Sequence, residues 1–239
     1  MNSIRGILAK QIKIPTMDYY KILALLAHPL RFFKEKTSII LSAIKGEKGN
    51  AIETQSAYIK KSRIQFQGKD NLIQLNNSAL YNSSVFIRGN GHRLIIDEGA
   101  ALFNIRIKII GNDNTVHIKY CSHLGGGNII CGGVRVPIVI GENCRISEGV
   151  DIWSTDTHSI TQDGKLLNAP RPIQIGSHVW IGKDVAILKG VTIGDNAIIG
   201  MKSIVTKDIE AGTVNIGAPA KAIRENVEWS LTNPNNEQA

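Results

Sequence analysis

Asp156 and His158 stand two residues apart in a stretch, residues 153–172, that departs from the regular spacing on either side of it. An imidazole changes protonation near neutral pH. A histidine in such a loop is therefore suited to remove a hydroxyl proton while the oxygen attacks an acyl carbon. Asp156 has two readings, one as an orienter or charge partner of the ring and one as a turn-forming residue. His158 itself has an ordinary reading, a surface histidine of a loop. Arg171 shares the stretch, and His178 is a rival base placed at a solvent-facing turn. Trp180 is one of three tryptophans in a chain with 5% aromatic residues, and its place points outward. It reads either as part of a ligand site or as an anchor between subunits.

Cys121, Cys131 and Cys144 are the only cysteines, and no two have the close spacing of a metal site. Cys144 falls at a small inward place, so a buried structural thiol is the better reading and no metal is expected. His117 and His123 are six apart and do not form the closely spaced histidine pair of a zinc hydratase. Gly125–Gly127 lacks the following Lys-Ser/Thr of a phosphate loop and reads as a turn.

The elements that must hold these residues are legible in the spacing of aliphatics. Ile118, Leu124, Ile130 and Val136 form one series at six-residue intervals, and Ile140, Ile146 and Ile152 a second. Ile175, Ile181, Ile187, Ile193, Ile199 and Val205 form a third without a miss, which chance gives roughly once in ten thousand starts. The fifth place of each hexad is small or branched: Val179, Val185, Val191, Ala197, Ser203, Ile209. Upstream, Gly68, Gly89 and Gly111 open similar phrases at spacings of 21 and 22 residues. A helical repeat cannot keep a period of six. A solenoid of short stacked strands can, and 38 Ile against 16 Leu suits it. The gap of 23 between Ile152 and Ile175 then means that about 17 residues leave the stack as a loop.

With three hexads per coil, residues 18 apart stack. Lys189 and Lys207 form a like-charged pair that an anion would relieve. Asp184 and Lys202 are expected to form an ion pair, and Lys183, stacked on Met201, to remain free.

The segments IGENCRISEGVDIWSTDTHSI (140–160), LNAPRPIQIGSHVWIGKDVAILKGVTIGDNAIIGMKSIVTKDI (167–209) and NIGAPAKAIREN (215–226) resemble the hexapeptide-repeat acyltransferases. The resemblance covers about residues 66–227, and the bacterial O-acetyltransferases of surface polysaccharides resemble the chain most. It implies a left-handed parallel β-helix, a hand that departs from the usual crossover rule and rests on the resemblance alone. It also implies acetyl-CoA as acyl donor, a sugar or polysaccharide acceptor, and a homotrimer with the donor between subunits. By the same resemblance His158 is the general base, with Asp156 beside it. Trp180 lies at the thioester, backbone near Gly200 and Met201 lines the donor channel, and Lys183, Lys189, Lys207, Lys221 and Arg224 are donor contacts. Family members often have Ala-Gly where Met201-Lys202 stand here, so the channel wall is bulkier.

The sequence therefore predicts a mainly β chain: a parallel β-helix solenoid over 64–220, after a basic segment 1–63 with two helices within 17–45. Residues 221–239 are expected to form a short C-terminal helix and tail. Within one fold the rivals are an N-acetyltransferase and a drug O-acetyltransferase; outside it, a non-catalytic scaffold. The net charge of +8 hints at nucleic acid, but residues 66–239 carry 16 basic and 16 acidic side chains. Nucleic acid is thus not expected. The surplus lies in 1–65, where residues 1–45 suit capping of the first coil or peripheral contact with anionic lipid. No apolar run reaches the roughly 18 residues of a membrane span, and a cytoplasmic location is expected.

Overall fold

The computed structural model describes residues 38–40 and 43–231. Successive short strands go to three different parallel sheets in turn, so the chain winds as a three-faced coil. One face has ten strands, one eight and one seven. In the C-terminal coils Trp180 pairs with Ile198 and Ala186 with Ile204, a turn of 18 residues. In the N-terminal coils Arg63 pairs with Ser84 and Arg106 with Ser84, turns of 21 and 22 residues. Both predicted periods are present, in different halves of one solenoid.

The aliphatic series form the core along the axis. Ile175, Ile181, Ile187, Ile193, Ile199 and Val205 are all at most 1% exposed, and the fifth-place residues Val179 through Ile209 line the same interior. Each fully buried isoleucine contributes roughly 1.5–3 kcal/mol of transfer free energy. Because like residues stack, every coil reuses the packing of its neighbour.

Two columns, one polar and one of glycines, fix the wider coils. Asn50, Asn71, His92 and Asn114 lie one above another, and each side chain accepts a backbone N–H from the next coil. His92 N bonds Asn71 Oδ1 at 2.9 Å, Asn114 N bonds His92 Nδ1 at 3.2 Å, and Val136 N bonds Asn114 Oδ1 at 2.8 Å. Beside them Gly89, Gly111 and Gly133 stack in register with positive φ, and a β-carbon at Gly89 or Gly111 would run into the next glycine's carbonyl. Side chains are excluded there because backbone meets backbone.

Two expectations about the ends are corrected. Ser38–Ile40 and Ala43–Lys45 are strands paired with Tyr58–Lys60 and Arg63–Gln65, not the end of a helix. Their apolar residues satisfy helical spacing and strand alternation alike, and an open sheet edge decides for the strand. The coil thus starts well before residue 64. At the other end Lys221–Arg224 is an antiparallel strand on Val214–Ile216, where a C-terminal helix was expected. It covers the last open edge of the ten-stranded face. There is no helix among the described residues; the remaining predicted helical residues, 17–37 and 41–42, lie outside them.

Candidate active site

The loop breaks the stack where the spacing predicts. Arg145 pairs with Trp180 and Ile152 with Ile187, each 35 apart, or one 18-residue coil plus 17. Its two ends are joined at Ser154. The buried Ser154 Oγ accepts from Gly132 N at 3.0 Å, and the Ser154 carbonyl accepts from Arg171 N at 3.0 Å. Inside the loop Thr161–Gln162 and Lys165–Leu166 form a hairpin on an Asp163-Gly164 turn, both with positive φ.

His158 is exposed and lines a cleft of about 270 Å³ with Arg88, Ile110, Thr155, Thr157 and Asn168. Its backbone is held by Asn168, which the sequence reading did not single out. Asn168 Nδ2 donates to the His158 carbonyl at 2.7 Å and to Asp156 Oδ2 at 2.8 Å, while Asn168 Oδ1 accepts from Ile160 N at 2.7 Å. One amide thus closes a circuit through the loop. Only its place at the loop's return could have flagged it.

Asp156 does not hold the His158 ring. Its Oδ2 accepts from Lys189 Nζ and from Asn168, and these bonds, Lys189 first, hold its carboxyl below the usual aspartate range. This corrects two readings. Asp156 tethers the loop to the coil, and the anion beside Lys189 is Asp156. Lys207 is exposed at the rung beyond, without that partner. Lys183 is not free, since its Nζ bonds Glu148 Oε1 at 2.5 Å. The Asp184–Lys202 ion pair does not form. Asp184 leans over Gly149, and both residues sit at turns with positive φ of 57° and 59°.

Trp180 is 45% exposed on the outer side of the ten-stranded face. Trp229 lies near it at 6.0 Å between ring centroids, stacks on His178 at 4.2 Å, and donates its indole N–H to the His178 carbonyl at 2.8 Å. His178 Nδ1 is 2.9 Å from Asn196 Oδ1. Stacked on Trp229 and bonded to Asn196 at a turn with φ of 54°, His178 lies beside Trp180 and does not line the His158 cleft. Met201 is 62% exposed beside Gly200, and Lys221 and Arg224 are exposed on the final strand. The loop and the Trp180 face are thus separate groups in the single chain.

Burial pushes the Cys131 thiol up to about 12 and raises that of Cys144, so neither supplies a thiolate at neutral pH. Cys144 is fully buried, as its inward place predicts.

Comparison with known proteins places this geometry. The family described as bacterial transferase hexapeptide (six repeats) matches residues 172–207. The polysialic acid O-acetyltransferase of Neisseria meningitidis is 31% identical over 166 residues, 68% of this chain and 76% of that protein. The chain belongs to the hexapeptide-repeat acyltransferases. The galactoside O-acetyltransferase of Escherichia coli K12 is 44% identical over 119 residues, covering 46% of this chain and 58% of that protein. The match spans about half the length of several such curated relatives. Among solved structures, the polysialic acid O-acetyltransferase OatWY superposes with a TM-score of 0.74 at 27% identity, covering 80% of this chain and 92% of that one. The polysialic-acid-specific acetyltransferase NeuO gives 0.69 at 27% identity, with 83% and 90% covered.

Proposed function

We propose that the protein transfers an acetyl group from acetyl-CoA to a hydroxyl of a saccharide, through a ternary complex with His158 as general base. The carrying observation is the His158 loop. It is the one long excursion of the described solenoid, it opens a cleft at the imidazole, and Asn168 and Lys189 brace it without occupying the ring. The acceptor O–H proton passes to an imidazole nitrogen as the oxygen attacks the thioester carbonyl carbon. The tetrahedral intermediate then collapses with loss of the C–S bond, and the imidazolium returns the proton to the CoA sulfur. Ester and free thiol leave, and no acyl-enzyme forms, in keeping with the burial of Cys131 and Cys144.

The exposed Trp180 indole supports donor binding along the ten-stranded face, with Lys221 and Arg224 toward its C-terminal end and Lys207 just past the last strand of the eight-stranded face. Because His158 and Trp180 are separate groups in one chain, a complete site calls for a second subunit, and a homotrimer is the assembly in this reading. Acceptance of an amine in place of a hydroxyl is the same chemistry, and acceptor screening distinguishes them. The test is His158→Ala with acetyl-CoA and an oligosaccharide acceptor. Turnover should fall by roughly 10²–10⁴ with acetyl-CoA affinity retained. Wild-type turnover in the variant would end the proposal.

A further inference from the structure

The outer side of the ten-stranded face carries a groove of about 600 Å³, distinct from the His158 cleft and lined by Phe103, His123, Leu124, Arg145, Lys183 and Leu231 among others. His123, Arg145 and Trp180 are successive rungs of one outward column. With rungs about 4.8 Å apart, the Arg145 rung of the groove is the one next to Trp180.

Its charges are unequal. Lys183 is neutralised by Glu148. His123 is neutral at pH 7, because burial first and the Arg145 charge second push its pKa down to about 4. Arg145 is partly buried, and its Nη1 donates to the carbonyls of Cys121 at 2.7 Å and Cys144 at 2.9 Å. Those two bonds fix the guanidinium plane and leave other N–H groups of the fork for a ligand. No carboxylate among the described residues pairs with it. A partly desolvated guanidinium without a counter-ion is incomplete, and its geometry matches a carboxylate in two parallel hydrogen bonds. Of its apolar lining only Leu231, 69% exposed, presents a face to the C–H side of a sugar ring, since Phe103, Leu124 and Ile146 are at most 4% exposed. The donor's phosphates have other cations, since the Lys221–Arg224 strand lies on the opposite side of the Trp180 strand from Arg145.

We infer that this groove is the acceptor subsite and that it takes an acidic sugar, whose carboxylate Arg145 binds. The inference rests on the saccharide-acetylation reading and names the chemical class of its acceptor.

The test is calorimetric titration of the full-length protein, without turnover, using glucuronate- and N-acetylneuraminate-containing oligosaccharides and neutral counterparts of equal length. At least one acidic sugar should bind tenfold or more tighter than its neutral partner. Arg145→Met should abolish the difference and Arg145→Lys should keep part of it, with acetyl-CoA affinity within twofold throughout. The inference is overturned if the wild type shows no acid preference, or if Arg145→Met keeps it. It is also overturned if Arg145→Met loses acetyl-CoA instead, which would assign the guanidinium to a donor phosphate. Should Arg145→Met fail to fold, the wild-type comparison and Arg145→Lys decide alone. Absence of acetyl-CoA binding in the wild type would count against the acetyl-transfer reading and leaves the sugar titration interpretable.

Discussion

Replacing Gly89 by alanine tests whether close backbone approach holds the wider coils together. Gly89 has φ of 122°, and its added β-carbon would overlap the Gly111 carbonyl oxygen, lie 2.9 Å from the Gly111 carbonyl carbon and 2.8 Å from His92 Nε2. Relief requires the coils to separate locally. The Arg88–Ile110, Gly89–Gly111 and Asn90–Asn112 pairs lie in register there and cannot part without losing ladder hydrogen bonds. Backbone strain costs about 1–3 kcal/mol, and two or three lost bonds cost about 1 kcal/mol each, giving about 3–6 kcal/mol. Gly164 is the control, with φ of 74° and nothing within 4 Å of an added β-carbon. It carries the dihedral cost alone, about 1 kcal/mol. At about 2–4 °C per kcal/mol for a domain of this size, Gly89→Ala should lower Tm by roughly 6–24 °C and Gly164→Ala by a few degrees. Calorimetry measures the difference, and hydrogen exchange should locate the loosening at residues 88–90 and 110–112. Equal losses in the two variants would refute the argument, because the contact with Gly111 is what separates them.

Asn168→Ala removes an amide that bonds Ile160 N, Asp156 and the His158 carbonyl, so exchange protection across 156–168 should drop and turnover should fall about tenfold, as seen by mass spectrometry and initial rates. Lys189→Met frees the Asp156 carboxylate, whose titration midpoint should rise toward the ordinary aspartate value in a carboxyl NMR titration. Acid should destabilise the fold through His92 and His123, both held neutral by burial with pKa values below the unfolded value. The unfolded chain then binds more protons, so their contribution is complete above about pH 6.5 and is lost as pH falls toward 4. For His123 alone the loss is on the order of 3 kcal/mol, seen as a falling Tm. His92→Asn should blunt that loss with Tm near wild type at pH 7.5, since Asn71 and Asn114 already fill the same column. A disulfide reagent on the native protein should leave Cys131 and Cys144 unmodified, as peptide mapping would show.

The hexads from Ile118 onward were legible because stacked coils of fixed length demand like residues at fixed intervals. The Gly68, Gly89 and Gly111 phrases announced the wider coils for the same reason, although Gly133 at the next rung went unnoticed. The strands Ser38–Ile40 and Ala43–Lys45 were illegible because helical spacing fits their apolar residues and no glycine phrase marks the coil. In the site, the loop that carries His158 followed from the 23-residue gap. What each charged side chain bonds did not, because it depends on register across the loop. Once the stack is known to resume after 35 residues, Glu148 must lie beside Lys183 and Gly149 beside Asp184. Counting only forward by 18 paired Lys183 with Met201 and Asp184 with Lys202. Asp156 meeting Lys189 follows from no register rule, because a loop residue has none.

That contrast bears on how this solenoid hosts chemistry. Its regular coils place outward residues in columns, and the His123–Arg145–Trp180 column is rigid since each rung is fixed by backbone pairing on both sides. A column cannot put two groups on opposite sides of one substrate, because all its side chains leave the same face. The loop supplies the second direction. Its position is set by three attachments to the stack or across itself: Ser154 at the neck, Lys189 on Asp156, and Asn168 on the His158 carbonyl. Loss of the neck should damage the fold, whereas loss of the other two should leave the coils intact and displace His158. Mutations around His158 therefore divide by attachment, not by distance from the ring.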